Sequence, residues 1–134
     1  MPVTPHRYAA RVYYEDTDAG GVVYHARYLG LAERARTEAL RALGAPHAEL
    51  AAHHGLIFMV HRVKMDYLRP ARLDDLLEIV TGPWEMRSAS VEVRQAFRVG
   101  DREIARLSIG LACARLADGR PARIPARWRE ALGE

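Results

Sequence analysis

The sequence predicts an α+β fold built on an antiparallel sheet, and two observations carry that reading. Small and apolar residues recur at three-or-four spacing over a single long stretch, at Tyr28, Ala32, Ala35, Ala39 and Leu43. The period-two segments that follow run together, joined by short turns with no second long helix between them. A doubly wound parallel sheet would alternate strands with helices, so βαβ units are disfavoured, and dinucleotide binding with them. At 134 residues, 49% hydrophobic and 28% charged, the chain is read as one domain, 1–134, large enough to bury a core.

The elements follow in order. Residues 7–14 carry Tyr8, Val12, Tyr13 and Tyr14, aromatic and β-branched types that favour a strand, and stop at Glu15-Asp16-Thr17-Asp18. Ala19-Gly20-Gly21 breaks the chain before the long helix, which Gly44 and Ala45-Pro46 end. Its inward positions are small enough for a sheet to approach its backbone closely. From Leu56 the period becomes two, with Met59, His61, Val63, Met65 and Tyr67 on one face and Arg62, Lys64 and Asp66 on the other, a half-buried strand ending at Arg69-Pro70. Residues 76–81, 91–99 and 105–113 read as three further strands, with Gly100-Asp101 turning between the last two. Residues 121–132 form a tail with one or two helical turns.

Twenty basic against seventeen acidic residues leave a net charge of +3, spread along the chain, so strong nucleic-acid electrostatics is not expected. Nineteen of the basic residues are Arg, with Lys64 the one lysine. Cys113, the only cysteine, lies in an apolar strand and reads as core; a reducing, cytoplasmic setting is expected. The opening residues lack the apolar run of a signal peptide, and the longest stretch free of Asp, Glu, Lys and Arg, residues 50–61, is too short to span a membrane. One helix leaves part of the sheet or its edge without cover, which predicts a homo-oligomer, paired edge to edge, with a site at the seam.

Reactive groups are densest where the first strand gives way to the helix: Tyr14, Asp16, Asp18 and His25. A helix start presents unpaired N–H groups and the positive end of its dipole, where a carbonyl oxygen can gain negative charge. A carboxylate on the preceding glycine-containing loop could reach that carbonyl, and Asp18 is better placed than Asp16. That combination suits hydrolysis of an ester or thioester. The residues alone also allow Asp16 and Asp18 as turn formers or caps and His25 as a helix-start histidine. Asp16-Thr17-Asp18 is a D-x-D, but phosphoryl chemistry of the haloacid-dehalogenase type expects a parallel α/β sheet. The histidines His25, His47, His53, His54 and His61 show no zinc spacing, and no serine-hydrolase, P-loop or dinucleotide motif is present.

The string from Val12 through Glu15-Asp16-Thr17-Asp18-Ala19-Gly20-Gly21-Val22-Val23-Tyr24-His25 to Tyr28, continuing over Glu33 to Glu38, closely resembles the 4-hydroxybenzoyl-CoA thioesterase superfamily, and within it the YbgC-type acyl-CoA thioesterases. A second stretch, Tyr67-Leu68-Arg69-Pro70-Ala71-Arg72-Leu73-Asp74-Asp75, matches the family as well. The resemblance implies the hotdog fold, a five-stranded antiparallel sheet wrapped around one long central helix. It implies hydrolysis of acyl-CoA with Asp18 as base or nucleophile, Tyr14 and His25 in support, and the backbone N–H groups of Tyr24 and His25 polarising the thioester carbonyl. Asp16 is then structural.

No metal or organic cofactor is required for such chemistry. Coenzyme A would bring phosphates to the surface, and Arg87, in the 84–90 turn, is the candidate for them, with a solvated turn residue as the other reading. A homodimer or homotetramer is expected. The alternatives are an acyl-carrier-protein thioesterase and a non-catalytic module that binds acyl thioesters or proteins.

Overall fold

A computed structural model describes residues 4–134; Met1, Pro2 and Val3, part of the opening segment, lie outside the described residues. The chain runs β1 (His6–Arg11), one 3-10 turn (Tyr14–Asp16), α1 (Arg27–Ala42), α2 (His47–His54), β2 (Leu56–Tyr67), β3 (Leu76–Met86), β4 (Ser90–Val99), β5 (Arg102–Arg115) and α3 (Ala126–Ala131). The five strands form one sheet in the order β1-β3-β4-β5-β2, every neighbouring pair antiparallel. β1 and β2 are therefore the two edges, and the chain crosses between them as α1 and α2.

The small residues of α1 do what their size suggests. Ala32, Ala35 and Ala39 are fully buried, which brings the helix backbone against the sheet. The Gln95 amide of β4 reaches the helix directly, donating to the Ala32 carbonyl at 3.0 Å and to the Thr81 hydroxyl at 2.9 Å. Tyr28 meets Phe97 edge to face at 5.2 Å, and Ile79, Val93, Leu107 and Ile109 complete the same inner surface. Gly44, in the left-handed region, ends the helix as expected. Trp128 of α3 is buried, and its indole N–H donates to the Ala45 carbonyl at 3.1 Å, which ties the tail to the end of α1.

Several elements depart from the sequence reading. β1 ends at Arg11, and Tyr13 and Tyr14 are exposed. The cause is the Asp16 carboxylate, which accepts the Tyr13 N–H at 2.8 Å and folds the chain into a turn. Residues 47–54 form α2, an additional helix, because Pro46 starts an Ala-rich run that Gly55 ends in the left-handed conformation. β3 continues past Gly82-Pro83 to Met86: a register shift between Thr81 and Trp84 accommodates the proline, which has no N–H for the ladder.

β2 has the expected bounds but not the expected face. A bulge between Val60 and Arg62 inserts His61, so the inner face is Phe58, Val60, Val63, Met65 and Tyr67, opposite Cys113, Leu111, Ile109, Leu107 and Ala105. Gly110 makes room for the inserted ring, since a Cβ there would stand 2.8 Å from the His61 Nε2. Val60, Val63 and Tyr67 are exposed, because α1 lies over the other strands and leaves this edge open.

Candidate active site

The loop between β1 and α1 is held at both ends. Asp16 is buried, accepting from Tyr13 N through one oxygen and from Arg27 Nε at 2.6 Å through the other. The charge pair in turn raises the Arg27 pKa, chiefly through that hydrogen bond. Asp16 is thus spent on structure, as its reading as an ordering residue anticipates.

Beyond it the chain makes a tight reversal. Asp18 N donates to the Val22 carbonyl at 2.9 Å, Gly21 N to the Asp18 carbonyl at 3.0 Å, and Gly20 N to the Asp18 Oδ1 at 2.8 Å. Gly21 takes a positive φ of 79°, which a side chain would strain. The second family-like stretch docks here: Val23 N donates to the Ala71 carbonyl at 2.8 Å, and Val22 forms a bridge with Arg72. Two segments some fifty residues apart in sequence therefore build one wall.

Asp18 lies between two depressions. One, of about 330 Å³, is lined by Asp18, His25, Tyr28, Tyr67 and Arg69. The other, of about 400 Å³, is lined by Tyr14, Thr17, Asp18 and Leu73. Tyr14 and His25 each line a depression that Asp18 also lines. Tyr14 is 82% exposed and has no packing role.

Among the described residues the Asp18 carboxylate has no partner beyond its own turn, where one oxygen carries the Gly20 N–H. At the start of α1 the Tyr24 N–H is committed to the Asp16 carbonyl at 2.9 Å, which corrects its reading as a polarising group: an amide hydrogen already donated is not free for a substrate. The His25 N–H donates to no group among the described residues.

Tyr28 and Tyr67 are site-lining residues that the sequence placed on the helix and strand faces but gave no role. The Tyr67 hydroxyl donates to the His25 carbonyl at 2.7 Å, and its ring meets Tyr28 edge to face at 5.6 Å. Burial raises the Tyr28 pKa, with a backbone hydrogen bond from Ala71 working against it, so its hydroxyl keeps its proton. The repeated tyrosines of the two stretches were the available signal; their convergence is tertiary.

Arg87 is not brought to this site within the chain. β3 begins beside Arg11, next to the loop, and runs eleven residues before the turn that holds Arg87, a separation of about 30 Å along an extended strand. Arg87 is exposed, with its carbonyl accepting from Arg129 at 3.0 Å. Cys113 is buried and its thiol pKa is raised by burial, as suits a core residue. Among the described residues no group of three or more His, Cys, Asp or Glu is placed to hold a metal ion, and no helix is long and apolar enough to cross a membrane.

Comparison with known proteins agrees with this architecture. Residues 12–132 match the thioesterase-like superfamily. The acyl-CoA thioesterase YbgC of Haemophilus influenzae is 40% identical over 125 residues, covering 93% of this chain and 92% of that protein. The acyl-CoA thioester hydrolase YbgC of Escherichia coli O6:H1 is 50% identical over 95 residues, covering 71% and 70%. The crystal structure of a probable thioesterase from Bartonella henselae superposes with a TM-score of 0.84 at 36% identity, covering 90% of this chain and 99% of that one. The chain belongs to the thioesterase-like superfamily, as a YbgC-type thioesterase built on an α+β hotdog fold.

Proposed function

We propose that this protein hydrolyses acyl-CoA thioesters to a free acid and coenzyme A, with Asp18 as the catalytic carboxylate. The observation that carries the reading is that Asp18 and His25 line one depression at the start of α1, where the His25 N–H is unspent. A thioester carbonyl seated there would have its oxygen toward that N–H and the helix start, and its carbon toward the carboxylate.

With Asp18 as base, the carboxylate takes a proton from water as the water oxygen bonds to the carbonyl carbon. The C–S bond then breaks, and the proton leaves with the thiolate. With Asp18 as nucleophile, a carboxylate oxygen bonds to the carbonyl carbon as the C–S bond breaks and the coenzyme A thiolate leaves, giving a mixed anhydride; water attack at the Asp18 carboxyl carbon then frees the acid, leaves solvent oxygen in the carboxylate and supplies the proton for the thiolate. Single turnover in oxygen-18 water distinguishes the two by the label in the enzyme. Tyr14 and His25, which share depressions with Asp18, would close over the thioester; the alkyl and pantetheine arms would leave by the two depressions.

The uncovered edge of β2 supports a homodimer or a tetramer of dimers. Its outward backbone groups and its exposed Val60, Val63 and Tyr67 are suited to pairing with a second copy of the same strand. The single, buried, free cysteine supports a reducing compartment, which we read as the cytoplasm.

The test is release of free thiol from short, long and aromatic acyl-CoA substrates, and from the same acyl groups on acyl-carrier protein, by the wild type and by Asp18→Asn. Asparagine keeps the oxygen that accepts the Gly20 N–H but not the charge. Turnover is expected to fall at least about a hundredfold. Unchanged turnover would remove Asp18 from the reaction.

A further inference from the structure

Tyr28 and Tyr67 both line the depression that holds Asp18 and His25, and their hydroxyls are used differently. Tyr67 donates its proton to the His25 carbonyl at 2.7 Å. The Tyr28 hydroxyl donates to no group among the described residues, where the hydroxyl donors are Thr17 and Tyr67. Tyr28 is only 3% exposed, and a buried donor without an acceptor is costly unless a ligand takes its proton.

The ring cannot turn away from the depression. It meets Phe97 edge to face at 5.2 Å and Tyr67 at 5.6 Å. Its oxygen takes a hydrogen bond from the Ala71 backbone, and the Ala71 carbonyl in turn accepts the Val23 N–H at 2.8 Å. Val22, Val23 and Pro70, the residues around that contact, line the same depression. The hydroxyl end of Tyr28 therefore stands at the wall of the site, not in the core behind it.

Tyr28 is the second residue of α1, three beyond His25. Side chains of a helix lean toward its N-terminus, so the phenol points back to the helix start, where the His25 N–H is unspent. A carbonyl oxygen has two lone pairs and accepts two donors. The Tyr24 N–H, held by the Asp16 carbonyl, is not free to be the second. Arg69, also on the wall, is exposed and donates to the Glu103 carbonyl at 3.0 Å. Burial keeps the Tyr28 pKa above the ordinary tyrosine value, so its proton is available through the neutral range.

We propose that the Tyr28 hydroxyl is a catalytic residue, the second donor to the thioester carbonyl oxygen beside the His25 N–H. The inference rests on the hydrolysis proposed above. As water or Asp18 bonds to the carbonyl carbon, negative charge gathers on that oxygen and both hydrogen bonds strengthen; the phenol keeps its proton, and the charge returns to the carbon–oxygen double bond as the C–S bond breaks. The Ala71 bond to the phenol oxygen polarises the O–H and fixes its direction.

The test begins with Tyr28→Phe, which keeps the ring contacts and removes the donor. With thiol release from the acyl-CoA panel, kcat is expected to fall about a hundredfold with KM and the thermal midpoint close to those of the wild type. The second readout is the infrared carbonyl stretch of bound ketone analogues of the same panel, which carry a methylene in place of the sulfur and a carbon-13 label at the carbonyl. The stretch should lie lower in the wild type than in Tyr28→Phe, because each hydrogen bond weakens the carbonyl bond. Unchanged kcat in the folded variant overturns the inference. A loss of kcat with the same stretch in both proteins overturns it too, since the phenol would then only support the Ala71 backbone. Where Tyr28→Phe does not fold, Tyr28→3-fluorotyrosine, nearly the same size and a stronger donor, should lower the stretch further, and an unchanged stretch counts against the inference. A wild type that binds none of the ketones overturns it as well. If no thioester is cleaved while the stretch responds to Tyr28, the hydrolysis reading fails and the hydrogen bond from Tyr28 stands.

Discussion

The Tyr67 hydroxyl donates to the carbonyl oxygen of His25 at 2.7 Å, joining the last residue of β2 to the segment that leads into α1. The bond fixes the peptide that follows His25 without using its N–H, and so sets where the start of the helix points. Tyr67→Phe removes the bond and keeps the ring against Tyr28. The variant is expected to lower kcat/KM for acyl-CoA about fivefold, the scale of one neutral hydrogen bond, with a thermal midpoint close to that of the wild type. Steady-state thiol release and a melting curve check both.

Asp16 and Asp18 are two residues apart and should fail differently. Asp16 is buried and accepts from Tyr13 N and Arg27 Nε, so Asp16→Ala leaves an N–H without its acceptor and the turn without its anchor. The thermal midpoint is expected to drop by roughly 5 °C, where Asp18→Asn leaves it nearly unchanged. Equal melting of the Asp16→Ala variant and the wild type would show the turn to be held by the backbone alone.

His47 makes stability depend on pH. Its pKa is lowered, first by burial, then by Arg36 and Arg41, with Glu33 opposing. The unfolded chain therefore binds a proton more readily than the folded one, and stability falls as pH drops below about 6.5, the ordinary histidine value. Melting curves from pH 7.5 to 5.5 should show a midpoint that declines less in His47→Gln than in the wild type. Parallel declines would assign the effect to other groups.

If the open edge of β2 pairs with a second copy, as proposed above, that edge sets the oligomeric state. Val63, 38% exposed on the inner face, would sit close to a paired copy of the strand. Val63→Asp is expected to shift the protein toward monomer in light scattering and to reduce thiol release with it, because two like charges would meet across the seam. A wild type that is monomeric at all concentrations would remove the interface.

Local sequence determined the elements whose signals lie within a few residues: the alanines that let α1 press on the sheet, the strands β2, β4 and β5, and the glycine-containing loop carrying Asp18. The long motif around Asp18 made the family legible for the same reason, since its spacing is contiguous. Only the tertiary structure decided the rest. Gly110 opposite His61 admits the bulge that reverses half of the expected face of β2.

The Tyr24 N–H, Arg87 and Arg36 belong to the same class. Each depends on a partner or a separation that lies outside its own periodic stretch: the carbonyl of Asp16 across the loop, the eleven-residue length of β3, and the Gln95 amide that Arg36 reaches from α1. A periodic pattern reports which side of an element is apolar, because that depends on neighbours three, four or two positions away. It does not report which hydrogen bonds are already spent, because that depends on where the folded chain brings distant residues together.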